Sequence, residues 1–143
     1  YYNGAGGNLV EAAVTAGGMG VEPWAFLAKL LFTAVTLGAG FRGGEIVPTF
    51  ACGATFGCVA APFLGLSPSF GGAVGMVATF CGVTNCPLSS ILLAYELFGG
   101  DGLPLYALAI AVAYRLSGYS GLYSEQQIIY SKRVPREIDR KAE

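Results

Sequence analysis

Gly43-Gly44-Glu45-Ile46-Val47-Pro48 brings together the residue types that can hold an anion. Two glycines let the backbone come close to a bound group, and a proline suits the first turn of a helix. The N–H groups that open such a helix have no partner inside it and favour negative charge. Glu45 adds a carboxyl at the same point. Beyond it, no Lys, Arg, Asp or Glu occurs from Ile46 to Tyr95, a run of fifty residues. A carboxyl at the edge of such a run reads as a group that binds protons or meets an anion at a helix start. The bland alternative is a carboxylate at a membrane surface, stabilised by the helix dipole, with Arg42 close enough to pair with it.

Other candidates carry less. Tyr123, in Gly121-Leu122-Tyr123-Ser124, can offer its hydroxyl to an anion, or serve as an interfacial anchor like other membrane tyrosines. Glu96 reads as a helix-end acid. Gly4-x-Gly6-Gly7 has no strand before it and is a nucleotide loop only superficially. There is no histidine, and Cys52, Cys58, Cys81 and Cys86 form no C-x-x-C pair. Neither a metal site, a cofactor nor a disulfide framework is expected, and the thiols read as small buried hydrophobes.

The elements that must position these residues are apolar. Of 143 residues, 54% are hydrophobic and 12% charged, with a mean hydropathy of +0.58. That is about half the charge of a soluble domain, and membrane insertion is the economical reading. The 22 glycines agree, and Gly53-x-x-x-Gly57 and Gly71-x-x-x-Gly75 have the spacing that lets helices approach closely. The pattern predicts helices over Trp24–Gly40, Ile46 or Pro48 to about Ala61, Ser69 to about Val83, Pro87–Phe98 and Leu103–Leu116. A last, increasingly polar helix is expected from Ser124 to about Arg140, and no strand. Ser67-Pro68 suits an N-cap and first helical position. These apolar segments are short and broken, as in transporters that place helix ends inside the bilayer.

Five of the eight basic residues, Lys132, Arg133, Arg136, Arg140 and Lys141, fall in the last dozen positions. They predict a cytoplasmic C-terminus, with residues 1–131 embedded in the membrane and 132–143 a charged tail. Glu137, Asp139 and Glu143 are interleaved with them, so an ordinary solvated end is the alternative. Nucleic-acid binding has no support. The opening Tyr1-Tyr2-Asn3-Gly4 has neither an initiator Met nor a charged leader, and the chain reads as the C-terminal portion of something longer.

Taken in order, Gly43-Gly44-x-x-x-Pro48, Gly82-Val83-Thr84-x-x-Pro87-Leu88-Ser89, Glu96-Leu97 and Leu122-Tyr123-Ser124 resemble the CLC family of voltage-gated chloride channels and chloride/proton antiporters. The resemblance runs from the Asn8-Leu9 region to the tail. It implies an all-α integral membrane fold of tilted, broken helices, one half of a CLC-type inverted repeat. It also implies a homodimer, with Pro87–Phe98 and Leu103–Leu116 at the interface, in the plasma membrane. The family's first-half motifs, including the loop with the gating glutamate, do not occur here.

By the same resemblance, the backbone N–H groups of Glu45 and Ile46 and the hydroxyl of Tyr123 bind the anion, with Gly43, Gly44 and Pro48 supporting the loop. Chloride members carry an apolar residue where this chain has Glu45, and a glutamate there resembles the fluoride/proton antiporter branch. That branch often has threonine where this chain has Val47. Fluoride is strongly hydrated and needs strong donors. A glutamic acid that keeps its proton is one, and Glu45 is thereby also the candidate proton carrier.

The leading expectation is therefore transport of chloride or fluoride, by channel or proton-coupled exchange, with no enzymatic chemistry. A structural membrane subunit that packs against a partner and transports nothing alone is the alternative. A soluble glycine-rich enzyme is a third reading, against which the uncharged run stands.

Overall fold

The computed structural model describes residues 6–15, 22–41 and 43–142, in two compact units, 1–77 and 78–143. Arg42, the expected partner of Glu45, lies outside the described residues. The helices are α1 (Gly7–Val14), α2 (Ala25–Gly38), α3 (Ile46–Ala60), α4 (Pro68–Thr84), α5 (Pro87–Phe98) and α6 (Leu103–Leu116). Two strands follow, β1 (Gln127–Tyr130) and β2 (Glu137–Lys141).

In the first unit, α1 and α2 both pack on α3. Helix α2 ends where Gly40 turns left-handed (φ 86°), with the Gly40 N–H on the Leu37 carbonyl and the Phe41 N–H on that of Thr36. This double closure satisfies carbonyls that the helix end leaves open. The rings of Phe26 and Phe56 meet edge to face at 5.4 Å between α2 and α3. Pro62 converts the end of α3 into a tighter turn over Ala61–Leu64, and Gly65 (φ 71°) reverses the chain. The Ser67 side chain then accepts from the Phe70 N–H at 3.4 Å and caps α4 as its type predicts. Together, Ile46–Leu64 make a run of 19 residues, the one among the described residues long and apolar enough to cross a bilayer.

The two small-residue motifs face each other. A Cβ on Gly57 would lie 2.1 Å from the Gly71 carbonyl oxygen, and one on Gly75 would lie 2.3 Å from that of Gly53. Backbone touches backbone here, so only glycine fits. Ala51, Ala54, Cys58 and Ala61 complete a core of small side chains, while Leu30, Leu31, Val35 and Phe63 stay exposed. On α4, the Ser69 hydroxyl bonds the Val14 carbonyl and ties that helix to α1.

In the second unit, α5 and α6 pair across a short loop opened by Gly99 (φ 77°) and closed by Gly102 (φ 84°). The rings of Phe98 and Tyr106 meet at 5.7 Å, tilted by 32°. Ser90, Ala94, Tyr106 and Ile110 are buried, whereas Leu88, Leu92, Leu108 and Leu116 are exposed. Strands β1 and β2 pair antiparallel, Gln127 opposite Lys141 and Tyr130 opposite Glu137.

This hairpin corrects the helix expected over Ser124–Arg140. Gln127-Ile128-Ile129-Tyr130 is rich in β-branched and aromatic residues, and Pro135 would remove a hydrogen bond from the middle of any such helix. The interleaved charges sit instead on a ribbon, where Lys141 pairs with Glu125 at 2.8 Å in full exposure. Such a pair contributes little to stability.

Candidate anion-binding elements

Gly43, Gly44, Glu45, Ile46 and Pro48 come together as the lead-in and first turn of α3. Glu45 is its N-cap, half-buried and in helical backbone (φ −86°, ψ −15°), and its side chain does not cap the helix. Its carbonyl turns inward and accepts from both the Thr49 N–H at 3.2 Å and the Thr49 hydroxyl at 2.7 Å. The first turn is thus fixed from the C-terminal side. Among the described residues, none accepts from the Glu45, Ile46 or Val47 N–H, and Pro48 has none to offer. Those amides are the positive end of a 15-residue helix.

Gly43 and Gly44 are exposed, and a Cβ on either would meet nothing within 4 Å. Packing inside the unit therefore does not require glycine at these positions, in contrast to Gly57 and Gly71. What glycine supplies here is open space before the amides that open α3. This stretch can receive a small anion through backbone N–H groups, with the Glu45 carboxyl beside it.

Lys29 is a residue that sequence reasoning missed. It is buried, 2% exposed, on the face of α2 turned to the unit interior. The signal is there in the sequence, a single cation in an otherwise uncharged helix.

Tyr123 belongs to the second unit. It lies in the loop between α6 and β1, 51% exposed, and its hydroxyl makes no hydrogen bond among the described residues. The loop beneath it is tied to the break between α4 and α5. The Leu122 N–H donates to the Val83 carbonyl at 2.8 Å, and the Gln126 N–H to the Tyr123 carbonyl at 3.0 Å. Gln126 Nε2 donates to the Thr84 carbonyl at 3.1 Å, and Asn85 Nδ2 to the Ser120 carbonyl at 3.0 Å.

Lys132 completes this cluster. Its ammonium donates to Asn85 Oδ1 and, at 3.0 Å, to the Ser117 hydroxyl, and stands 4.3 Å from the centre of the Tyr114 ring. Burial pushes the Lys132 pKa below the ordinary lysine value, with Cys81 opposing more weakly. In the sequence Lys132 is one more tail charge, and nothing in its spacing sets it apart.

Comparison with known proteins gives the family of the chain. Residues 1–118 match the voltage gated chloride channel family. A chloride/fluoride channel protein of Pseudomonas syringae pv. tomato is 44% identical over 123 residues, covering 84% of this chain and 27% of the relative. An uncharacterised protein of Methanocaldococcus jannaschii is 28% identical over 91 residues, 64% of this chain and 23% of its own length. Among solved structures, a CLC-type fluoride/proton antiporter superposes with a TM-score of 0.76 at 35% identity, over 81% of this chain and 29% of that one. The chain spans less than a third of each of these relatives. With the family match running through α1 to α6, the chain belongs to the CLC, or voltage gated chloride channel, family.

Proposed function

We propose that this chain works in the membrane as part of a CLC-type transporter of chloride or fluoride. The observation that carries the reading is the start of α3, where N–H groups with no acceptor among the described residues follow two glycines that packing inside the unit does not require. The anion-binding groups of the proposal are the Glu45 and Ile46 amides and the Tyr123 hydroxyl. Gly43, Gly44 and Pro48 support the first of them.

Glu45 is the proton carrier of the proposal. As a neutral acid it donates a strong hydrogen bond to fluoride, and on losing its proton it repels the anion. The P. syringae relative is named for fluoride as well as chloride, and the solved antiporter is a fluoride/proton antiporter, which supports this branch. The exposed faces of α5 and α6, with Leu88, Leu92 and Leu108, are large and apolar, with charge only near the helix ends at Glu96 and Arg115, as suits a homodimer interface inside a bilayer. Residues 1–131 form the membrane part, in the plasma membrane, and 132–143 a cytoplasmic tail.

The test is halide efflux from liposomes that hold the full-length protein. Fluoride efflux exceeding chloride efflux, and driven by a pH gradient, is the expected result. A Tyr123→Phe variant should need a higher halide concentration for half-maximal rate. Efflux absent for both ions would instead favour a structural membrane subunit.

A further inference from the structure

Tyr123 offers a hydroxyl without a hydrogen bond among the described residues, on a backbone that is held at four points. Ser120 and Gln126 bracket it, three residues to either side, and Asn85 reaches both. Its Nδ2 donates to the Ser120 carbonyl at 3.0 Å and to Gln126 Oε1 at 3.4 Å. Gln126 in turn donates to the Thr84 carbonyl at 3.1 Å, and Leu122, next to Tyr123, donates to the Val83 carbonyl at 2.8 Å.

The direction of these bonds is set from one end. An ammonium is donor-only, so Lys132 must meet the oxygen of Asn85, which turns the Asn85 NH2 toward the loop. Gln126 then accepts with its oxygen and donates with its nitrogen. The chain Lys132 to Asn85 to Gln126 to Thr84 is ordered throughout, and each link polarises the next. Two backbone features serve it. Asn85 is left-handed (φ 57°), a conformation Asn tolerates better than most residues. At Gly121, a Cβ would fall 2.8 Å from Asn85 Nδ2 and push it away.

We infer that Asn85 is a positioning residue for Tyr123: it fixes the loop from the α4–α5 break so that the hydroxyl is offered to the halide at one place. Asn85 itself does not touch the anion. The inference rests on the reading of Tyr123 as an anion ligand, and it assigns specificity for a small ion to a side chain outside the site. A loop free to shift would let the hydroxyl follow ions of any radius, and a fixed one does not.

The test is a double-mutant cycle in the full-length protein in liposomes, reading the half-saturating halide concentration and the maximum rate. Asn85→Gly keeps the left-handed backbone and removes every side-chain bond. It should raise the half-saturating concentration about tenfold and change the maximum rate less than about twofold. In a Tyr123→Phe background the same change should add less than about twofold, because it acts through the missing hydroxyl. Equal effects in both backgrounds, or no shift from Asn85→Gly alone, would overturn the inference while leaving Tyr123 as a ligand. If Tyr123→Phe alone shifts nothing, the ligand reading fails and the inference with it. Should Asn85→Gly not insert, Gln126→Met, which removes the bonds to Thr84 and Asn85 at similar volume, runs the same cycle and decides it by the same criteria.

Discussion

At the start of α3 the proposed donors are backbone N–H groups, and the residues before them, Gly43 and Gly44, contribute no side chain at all. In the Tyr123 loop the donor is a side-chain hydroxyl, and the loop is held by other side chains, Asn85, Gln126 and Lys132. The first arrangement is as rigid as the helix behind it. The second is as rigid as its amide network. A small, strongly hydrated ion needs donors that do not move, because they must replace its water without reorganising. The two regions meet that demand by different means and should fail under different mutations.

The largest effect should come from the body of α3, which fixes the helix start. Gly57→Ala places a Cβ against the Gly71 carbonyl, where no flexible side chain can yield. The expected loss is about 3 kcal/mol of stability, read as a lower unfolding temperature in detergent. An Ala at Gly43 or Gly44 should leave that temperature unchanged. Equal loss at both places would show that the open lead-in is not open.

Next in size is Glu45→Gln, which keeps a neutral donor and removes the proton that the proposal has Glu45 carry. With the carried proton gone, fluoride efflux should fall about tenfold and lose its dependence on the proton gradient. Unaltered efflux with the same pH profile would leave Glu45 as a helix-end acid only.

A smaller effect marks the second region. Half-buried among Asn85, Ser117 and the Tyr114 ring, Lys132 should release its proton below the ordinary lysine value. Between the folded and unfolded midpoints the unfolded chain binds more protons, so stability should rise with pH in that window; below both, the burial penalty is fully present. A side-chain NMR titration of Lys132 that gave a midpoint above the ordinary value would contradict the burial. Ile46→Val should do least, with efflux within about twofold of the parent, because only the Ile46 backbone is used.

Much of the fold was legible. Pro87–Phe98 and Leu103–Leu116 stand where proline, glycine and the apolar run placed them, and the paired Gly-x-x-x-Gly motifs face each other as their spacing suggested. The tail was not, because interleaved charges suggested a solvated helix while Pro135 and the Ile128-Ile129-Tyr130 run pointed to strands. The helix start was legible, since its signal is local. The Asn85 network was not, as it joins residues 47 positions apart that no sequence period connects. Lys29 lay between these cases, a visible charge whose burial only the packing of α2 on α3 reveals.

The central claim is that a halide meets the Glu45 and Ile46 amides at the start of α3. Selective 15N labelling of glutamate and isoleucine in the full-length protein in nanodiscs, titrated with sodium fluoride, tests it most directly. Saturable shifts of the Glu45 and Ile46 amides are expected, with the amide of Ile110, buried within α6, unmoved. No shift of either amide at fluoride concentrations that saturate transport would contradict it.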